Sequence, residues 1–193
     1  FREAGRVSSF GLLHSIALTP DIPRIPMKRL SPKLLEEEIE RRAEGLMIQP
    51  PDPGDEVYDE YVDAFRMALV LEAWVEEVPE AEIYERFGVQ PGDLAILREA
   101  ASWIAYAASQ IAKVAGYREF VKPYDIMSER IKHGVKEELI PLARLRGIGR
   151  VRARLLYQHG YTSLEKLRAA SPQDLIRIPG IGPAIVKQIM EQL

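Results

Sequence analysis

The sequence contains no cysteine among its 193 residues, which removes several classes of protein at once. Without thiols the chain has no disulfide framework and no thiolate zinc site, and it suits a reducing cytosol. It also has no run of about 18 apolar residues, as a membrane-spanning helix requires. The three histidines, His14, His133 and His159, lie far apart without ligand spacing. We therefore expect no metal site and no membrane partner, and we expect the histidines to be surface or locally hydrogen-bonded residues.

Motifs for nucleotide hydrolysis are also missing. No G-x-x-x-x-G-K-[ST] phosphate loop occurs, and no acidic helicase box follows a strand. We expect no catalytic residue, no ATPase activity and no cofactor in this chain. Because the first residue is Phe1 rather than Met, we also expect the chain to be a piece of a longer protein.

Composition and local signals predict an all-α fold. An apolar content of 47% and a charged content of 28% are typical of a globular protein. Serine, proline and glycine separate stretches in which apolar residues recur at helical spacing. The resulting helices are predicted at residues 8–18, from the N-cap Ser31 to about 45, 55 to about 77, 80–87 before Gly88, and 93–115 before Gly116.

The longest predicted helix carries a buried stripe on one side and a tryptophan on its flank. Asp93 is predicted to cap this helix. The stripe comprises Leu94, Leu97, Ala101, Ile104, Ala108, Ile111 and Ala115. Trp103 lies about 120° from the centre of that stripe. Its ring can pack against another helix or offer a face to a single-stranded base, and spacing alone favours packing.

A five-residue motif that ends in Gly-Ile-Gly occurs twice near the end of the chain. Its copies are residues 145–149 (Leu-Arg-Gly-Ile-Gly) and 178–182 (Ile-Pro-Gly-Ile-Gly), 33 residues apart. Each copy lies between apolar runs of helical period, a pattern that predicts helix, tight hairpin and helix. Glycine lets the chain reverse with positive φ, and the helix that follows begins with unpaired amides. Such helix starts attract anions, although a glycine-mediated helix contact that binds nothing gives the same pattern. We expect Ile148 and Ile181 to anchor the hairpins, Pro141 to kink the entering helix, and Thr162 with Glu165 to cap the connector.

Charge favours a nucleic-acid partner for this region. Residues 141–193 carry nine Lys/Arg and three Asp/Glu, a net charge of +6, whereas the whole chain has −3, so residues 1–140 carry −9. The first hairpin holds five of the cations, and we expect it to bind DNA more tightly than the second. The candidate DNA-binding residues are Trp103, Arg144, Arg146, Gly147, Ile148, Gly149, Arg150, Arg152, Arg154, Gly180, Ile181, Gly182 and Lys187.

Residues 129–154 (ERIKHGVKEEL followed by IPLARLRGIGRVRAR) resemble the C-terminal part of archaeal superfamily 2 DNA helicases of the Hjm/HelQ type, and residues 13–21 and 91–103 are similar to earlier stretches of the same region. The resemblance implies that the long helix is the family's ratchet, whose tryptophan stacks on a base of the translocated strand, with Trp103 at that position. The family also has an arginine seven residues before this tryptophan, a position that Ile96 occupies here. The nearest arginine, Arg98, is expected on a different face of the helix from Ile96. The family's Arg-Ala-Arg motif matches residues 152–154, whose arginines would hold the emerging strand and couple it to the motor.

The resemblance implies two domains, a helical ratchet-type domain at residues 1–138, truncated at its N-terminus, and a tandem helix-hairpin-helix domain at 139–193. It implies sequence-independent binding of single-stranded or branched DNA within an ATP-dependent repair helicase of the archaeal cytoplasm, associated with the nucleoid. ATP and Mg²⁺ would act in motor domains absent from this sequence, and a repair or replication protein is a further candidate partner. Two alternatives stay open: an autoregulatory or protein-interaction module, and the DNA-tethering end of a structure-specific nuclease.

Overall fold

The structure is a computed structural model, and it describes residues 8–193. Over this range the chain is helical and contains no strand, which confirms the all-α fold class. The chain divides into two compact units, one that ends at Lys132 and one that spans His133–Leu193. The domain boundary predicted between residues 138 and 139 lies a few residues further along the chain.

The described part of the first unit contains helices whose ends follow local sequence signals. The helices are α1 (Ser9–Ala17), α2 (Pro32–Arg42), α3 (Tyr58–Val75), α4 (Glu80–Phe87), α5 (Pro91–Ala115) and α6 (Arg118–His133), with a 3-10 turn at Ala43–Gly45. The hydroxyls of Ser8 and Ser31 accept hydrogen bonds from the first turns of α1 and α2. Gly88 and Gly116 adopt left-handed φ values of 71° and 83°, and they end α4 and α5 as predicted.

Helix α3 forms the centre of the first unit's core. Its Phe65, Met67 and Leu71 are fully buried, and Leu13 of α1 is equally buried. The ring of Phe10 meets the edge of Phe65 with a centroid distance of 4.9 Å. Burying each such side chain stabilises the fold by about 1.5–3 kcal/mol, so packing rather than helix propensity holds α1 against α3.

Polar contacts fix α6 against this core. The indole Nε1 of Trp74 donates a 2.7 Å hydrogen bond to the carbonyl of Ile131. The buried guanidinium of Arg130 reaches the carboxylate of Glu76 at 2.6 Å and the hydroxyl of Ser9 at 2.9 Å. Because a buried charge without a partner is strongly destabilising, these contacts hold α6 in a defined position.

The prediction that His14 is a surface or locally bonded residue is wrong. Its side chain is fully buried, and its ring meets the Tyr61 ring edge-on at 4.6 Å. Burial lowers the pKa of His14 from 6.5 to about 4, because the charged form would lose its hydration. The residue therefore acts as a neutral aromatic member of the core.

Two predictions for the long helix α5 need correction. Asp93 does not cap it, since α5 begins at Pro91 and Gln90 is the N-cap. The buried stripe also does not continue to the end of the helix, where Ile111 is 67% exposed and Ala115 is exposed. The covered face there consists of Ala105, Ser109 and Ala112. The apolar periodicity predicted the buried face correctly only in the first half of α5. Which residues are covered in its last turns depends on parts of the chain that are distant in the sequence.

The second unit is built from short helices around its own core. They are α7 (Ile140–Ala143), α8 (Arg150–Gln158), α9 (Leu164–Arg168), α10 (Pro172–Ile176) and α11 (Pro183–Met190), with a 3-10 turn at Glu137–Leu139. Each element contributes at least one buried apolar residue: Leu139, Leu142, Leu156, Leu167, Leu175 and Ile189 have no exposed surface.

Two local predictions for this unit are wrong. Pro141 lies in the first turn of α7, where proline fits without distorting a helix, so it starts a helix rather than kinking one. The cap of α9 is Ser163, not Thr162, and its hydroxyl accepts from the amide of Lys166 at 3.3 Å. Hydrogen bonds from the backbone and from Ser163 lower the pKa of Glu165, so Ser163 takes the role predicted for its neighbour.

Candidate nucleic-acid interface

Both copies of the Gly-Ile-Gly motif form the same tight turn. The amides of Ile148 and Ile181 each donate a 3.0 Å hydrogen bond to the carbonyl three residues earlier. The third residue of each turn is Gly147 or Gly180, with φ values of 80° and 82°. A turn with positive φ at this position is type II and favours glycine, since other side chains are strained there. The predicted chain reversal at each hairpin is therefore present.

The isoleucines between the glycines lie in the core. Ile148 is 4% and Ile181 is 1% exposed, and their amides are used within the turns. Neither residue offers a side chain or an N–H group to a ligand. Their place among the candidate DNA contacts is therefore corrected: they anchor the hairpins, and the exposed glycines on either side form the surface.

The helix that follows each turn begins without a side-chain cap. Gly149 and Gly182 are the N-caps of α8 and α11, they are exposed, and as glycines they have no side chain with which to cap these helices. The connector helices differ, because the hydroxyls of Ser163 and Ser171 cap α9 and α10. Open helix N-termini present amides and a positive dipole end, which together favour an anion.

The predicted cations around the hairpins differ in their surroundings. Arg144 and Arg146 are exposed, whereas Arg150 is half-buried. Lys187 is exposed on α11 and lies 3.9 Å from Glu191. Such exposed pairs contribute little stability, so the ammonium of Lys187 can exchange its partner for a phosphate.

The two arginines of the Arg-Ala-Arg motif already have partners inside the second unit. Arg152 donates from Nη1 to the carbonyl of Gly147 at 2.9 Å and from Nε to the carbonyl of Gly180 at 3.2 Å. Arg154 pairs with Glu138 at 3.0 Å, and its guanidinium lies 5.4 Å from the centre of the Tyr157 ring. The resemblance implied that both arginines hold the emerging strand, and the sequence did not predict these contacts, which join residues up to 28 positions apart.

Trp103 is exposed in the first unit, so the packing that its spacing favoured is not what the structure shows. Its side chain is 65% exposed and lines a surface groove of about 620 Å³ between α5 and α6. The groove floor is held by reciprocal hydrogen bonds, in which the hydroxyls of Ser102 and Ser128 each donate to the other residue's carbonyl, at 3.1 and 2.8 Å.

The same groove contains three further residues that could take part in binding and that were not among the candidate DNA contacts. Tyr106, one turn after Trp103, is 54% exposed and lines the groove beside it. Arg98 and Lys132 line the groove as well. Arg98 lies two residues after Ile96 and so on a different face of α5, but its side chain lines this groove, with its guanidinium 4.9 Å from the centre of the Trp74 ring.

Comparison with known proteins agrees with this division of the chain. The family described as archaeal helicase, domain 4, matches residues 10–134, and the family described as SAM-like helix-hairpin-helix tandem matches residues 139–193. The chain belongs to the archaeal helicase domain 4 family. The resemblance stated from the sequence is confirmed, as are the tandem hairpins.

The chain is also similar to proteins named ATP-dependent DNA helicase Hel308. It is 42% identical over 184 residues to the protein of Pyrococcus horikoshii, which covers 95% of this chain and 25% of that relative. The protein of Aeropyrum pernix is 38% identical over 190 residues, with 96% and 25% covered. That of Methanocella arvoryzae is 34% identical over 189 residues, with 97% and 25% covered. The chain spans about a quarter of the length of these relatives.

Two further features concern the part of the chain that the structure describes. Between residues 8 and 193 no helix combines the length and the apolar character needed to cross a bilayer. Within the same range no three His, Asp or Glu side chains come together as metal ligands do.

Proposed function

We propose that this chain binds DNA without reading its sequence, on single strands or at branches, as the C-terminal part of an ATP-dependent DNA repair helicase. The observation that carries the proposal is the pair of exposed, glycine-capped helix starts at Gly149 and Gly182. Backbone amides at such starts contact phosphate oxygens, which are the same for every base. The binding would therefore depend on backbone spacing and charge rather than on sequence.

The cations around the hairpins add the electrostatic part of this binding. Arg144, Arg146 and Arg150 surround the first turn, and Arg177 and Lys187 flank the second. Each cation that neutralises a phosphate releases a condensed counterion, so affinity falls as salt rises. The richer set at the first turn favours tighter binding there.

The groove between α5 and α6 supplies a second contact with the strand. An exposed indole such as Trp103 offers a face on which one base stacks, with a contribution of roughly 1–3 kcal/mol. Position 96, where the family has an arginine, is Ile96 here. Arg98 and Lys132 line the same groove together with Glu99 and Glu129, and in this proposal the two cations contact a phosphate beside the stacked base. A motor could then release and re-engage the base at Trp103 between steps.

Nucleotide hydrolysis belongs, in this proposal, to motor domains outside this sequence, which would bind ATP and Mg²⁺. The chain has no phosphate-loop motif with which to hold them. The relatives that share its two regions are named as ATP-dependent DNA helicases and are about four times as long. Its partners would be DNA, the motor domains of the same polypeptide, and a repair or replication protein.

Titration of a fluorescently labelled forked oligonucleotide at several salt concentrations tests this proposal. We expect binding on the order of micromolar, with log K falling against log salt with a slope near −3 if about four single-strand phosphates are neutralised. Replacing Arg146 and Lys187 together by alanine should make the slope shallower by about 1.4. The control Lys33→Ala removes from the first unit one exposed charge that, like Lys187, lies 3.9 Å from a glutamate four residues later, and it should leave the slope unchanged. A dissociation constant that does not change with salt would contradict the proposal.

An acidic first unit favours one alternative, a protein-interaction or autoregulatory module. The residues outside 133–193 carry a net charge of −8, and net acid opposes DNA except along a local basic surface. That alternative predicts that the forked oligonucleotide does not bind at any salt concentration. The nuclease alternative is less well supported, because residues 10–134 match a helicase domain.

A further inference from the structure

We propose that Arg152 is a positioning residue that locks the two hairpin turns together, so that both helix starts engage one DNA strand at a fixed spacing. This inference rests on the proposed DNA binding and deepens it. It gives Arg152 a different role from Arg146, which we place in direct contact with phosphate. For Arg152 it also replaces the direct hold on the strand that the resemblance implied for both arginines of the Arg-Ala-Arg motif.

The guanidinium of Arg152 joins equivalent atoms of the two turns. Its Nη1 donates to the carbonyl of Gly147 at 2.9 Å, and its Nε donates to the carbonyl of Gly180 at 3.2 Å. The carbonyl of Gly147 and the amide of Ile148 belong to one peptide group, and that amide closes the first type II turn. The carbonyl of Gly180 and the amide of Ile181 stand in the same relation in the second turn. One side chain therefore ties two turns that lie 33 residues apart in the sequence.

The repeat is broken at this position, so the second hairpin has no arginine equivalent to Arg152. Advancing 33 residues from Arg152 leads to Ile185, which has no polar group to donate. The neighbouring contacts, in contrast, keep the repeat. A Cβ on Gly180 would lie 3.7 Å from Leu155, and one on Gly147 would lie 2.5 Å from the side-chain oxygen of Gln188, the residue equivalent to Leu155. The second helix of each hairpin thus packs against the turn of the other hairpin. Arg152 adds hydrogen bonds to both turns.

A second side chain holds the first turn from the end of the chain. Gln192 accepts from the amide of Arg146 at 2.7 Å and donates to the carbonyl of Arg146 at 3.2 Å. Its amide nitrogen also donates to the carbonyl of Gln188 at 2.7 Å. These bonds fix the backbone of Arg146 and leave its exposed guanidinium to act on a ligand. They do not reach the second turn, whereas the hydrogen bonds of Arg152 reach both turns.

A fixed spacing matters because two weak sites on one strand reinforce each other only if both can be occupied together. When one helix start holds a phosphate, the second binds at an effective concentration set by the geometry between them. Loosening that geometry adds an ordering cost to binding. The planar fork of arginine suits two carbonyls at once, whereas the compact ammonium of lysine does not.

The role can be tested first on the unaltered protein by NMR of the arginine side chains. Because Nε of Arg152 donates to a carbonyl, its N–H signal should be present without DNA and protected from exchange with water. We expect that signal to stay in place when single-stranded DNA is added, while the exposed Arg146 guanidinium signal changes. A large DNA-induced shift of the Arg152 Nε–H signal would assign Arg152 to phosphate contact and overturn the proposal.

Variants that keep or remove the charge at positions 152 and 146 give the second test. Arg152→Ala and Arg152→Lys should each weaken affinity for single-stranded DNA by about tenfold, since neither can bridge the two carbonyls. At position 146, where only the charge matters, Arg146→Lys should bind like the unaltered protein and Arg146→Ala should not. Circular dichroism would check that each variant keeps its helix content. If Arg152→Lys retains full affinity, Arg152 acts as a charge and not as a tie.

Failure of this proposal can be told apart from failure of the proposed function. Without any DNA, loss of the tie should shift the amide signals of Ile148 and Ile181 together in Arg152→Lys, although they belong to different hairpins. A shift at only one turn, or at neither, would refute the tie even if DNA binds. If the unaltered protein binds no DNA but both signals shift together, the tie stands and the proposed function falls.

Discussion

The same residue type occupies two opposite settings in the first unit. Trp74 is 2% exposed, and its indole is fixed by a hydrogen bond to the carbonyl of Ile131. Trp103 is 65% exposed and lines an open groove with Tyr106. A large aromatic ring left in water contributes little to the fold, and the surface that Trp103 shares with Tyr106 suits the base contact proposed above. The difference between the two settings makes the tryptophans a matched pair for mutation.

We expect Trp103→Ala to weaken binding of single-stranded DNA while the melting temperature stays nearly unchanged. The loss should be roughly 1–3 kcal/mol, the contribution of one base stacked on an aromatic ring. Oligonucleotide titration and thermal unfolding of the same preparation measure the two effects. Trp74→Phe is the control, because it should lower the melting temperature through its lost hydrogen bond and leave affinity at the groove largely intact. A large fall in stability for Trp103→Ala would show that the ring supports the core.

At the scale of an element, the two glycines of one hairpin have different physical requirements. Gly180 needs a left-handed conformation, with φ of 82°, whereas Gly182 has φ of −84° and open space around the site of a Cβ. We expect Gly180→Ala to destabilise the second unit by about 1–2 kcal/mol, the cost of a left-handed conformation for a side chain. Gly182→Ala should leave stability nearly unchanged, because the reduced freedom of the unfolded chain offsets alanine's poorer fit at an N-cap.

Hydrogen exchange of the amides in α10 and α11 would measure this difference. Faster exchange in Gly180→Ala, with no change in Gly182→Ala, is the expected pattern. Equal destabilisation by both substitutions would show that the second glycine is also required for the fold, and not only for an open helix start.

Helix ends and hairpins could be predicted from the sequence because short-range chemistry decides them. Ser31 caps α2 through an amide three residues away, and Gly88 ends α4 in a left-handed turn. The tie made by Arg152 and the exposure of Ile111 could not, because each depends on residues far along the chain. The position of Arg98 in the groove could not be predicted either. A helical wheel gives the direction of its Cβ but not how far its long side chain extends along the surface. The backbone of the two hairpins could thus be predicted from the sequence. The sequence did not show which of the surrounding cations are available to a ligand.

At the scale of the whole molecule, charge is divided between the two units. Residues 133–193 contain ten Lys/Arg and five Asp/Glu, a net charge of +5, which leaves −8 for the rest of a chain whose total is −3. At physiological salt, charges further apart than about 8 Å are largely screened. The cations near the hairpins therefore act locally on a phosphate, and the overall negative charge does not prevent binding.

The two units also differ in how their stability should respond to pH. His14 is buried in the core of the first unit, and burial lowers its pKa from 6.5 to about 4. Between these values the unfolded chain binds a proton that the folded unit does not, so stability falls as pH is lowered through this range. The shift corresponds to about 3 kcal/mol, lost in full below pH 4. Both tryptophans of the chain, Trp74 and Trp103, belong to this unit, so their fluorescence reports on it.

We expect the fluorescence-detected stability of the first unit to decrease between pH 6.5 and pH 4, and His14→Leu to remove about 3 kcal/mol of that decrease. Denaturant unfolding at each pH, compared between the variant and the unaltered protein, isolates this contribution from that of carboxylates common to both. His159→Gln, at an exposed position of the second unit, is the control and should follow the unaltered protein. If His14→Leu shows the same pH dependence as the unaltered protein, then His14 is not held neutral in the core. The acid sensitivity of the first unit would then have to come from its carboxylates.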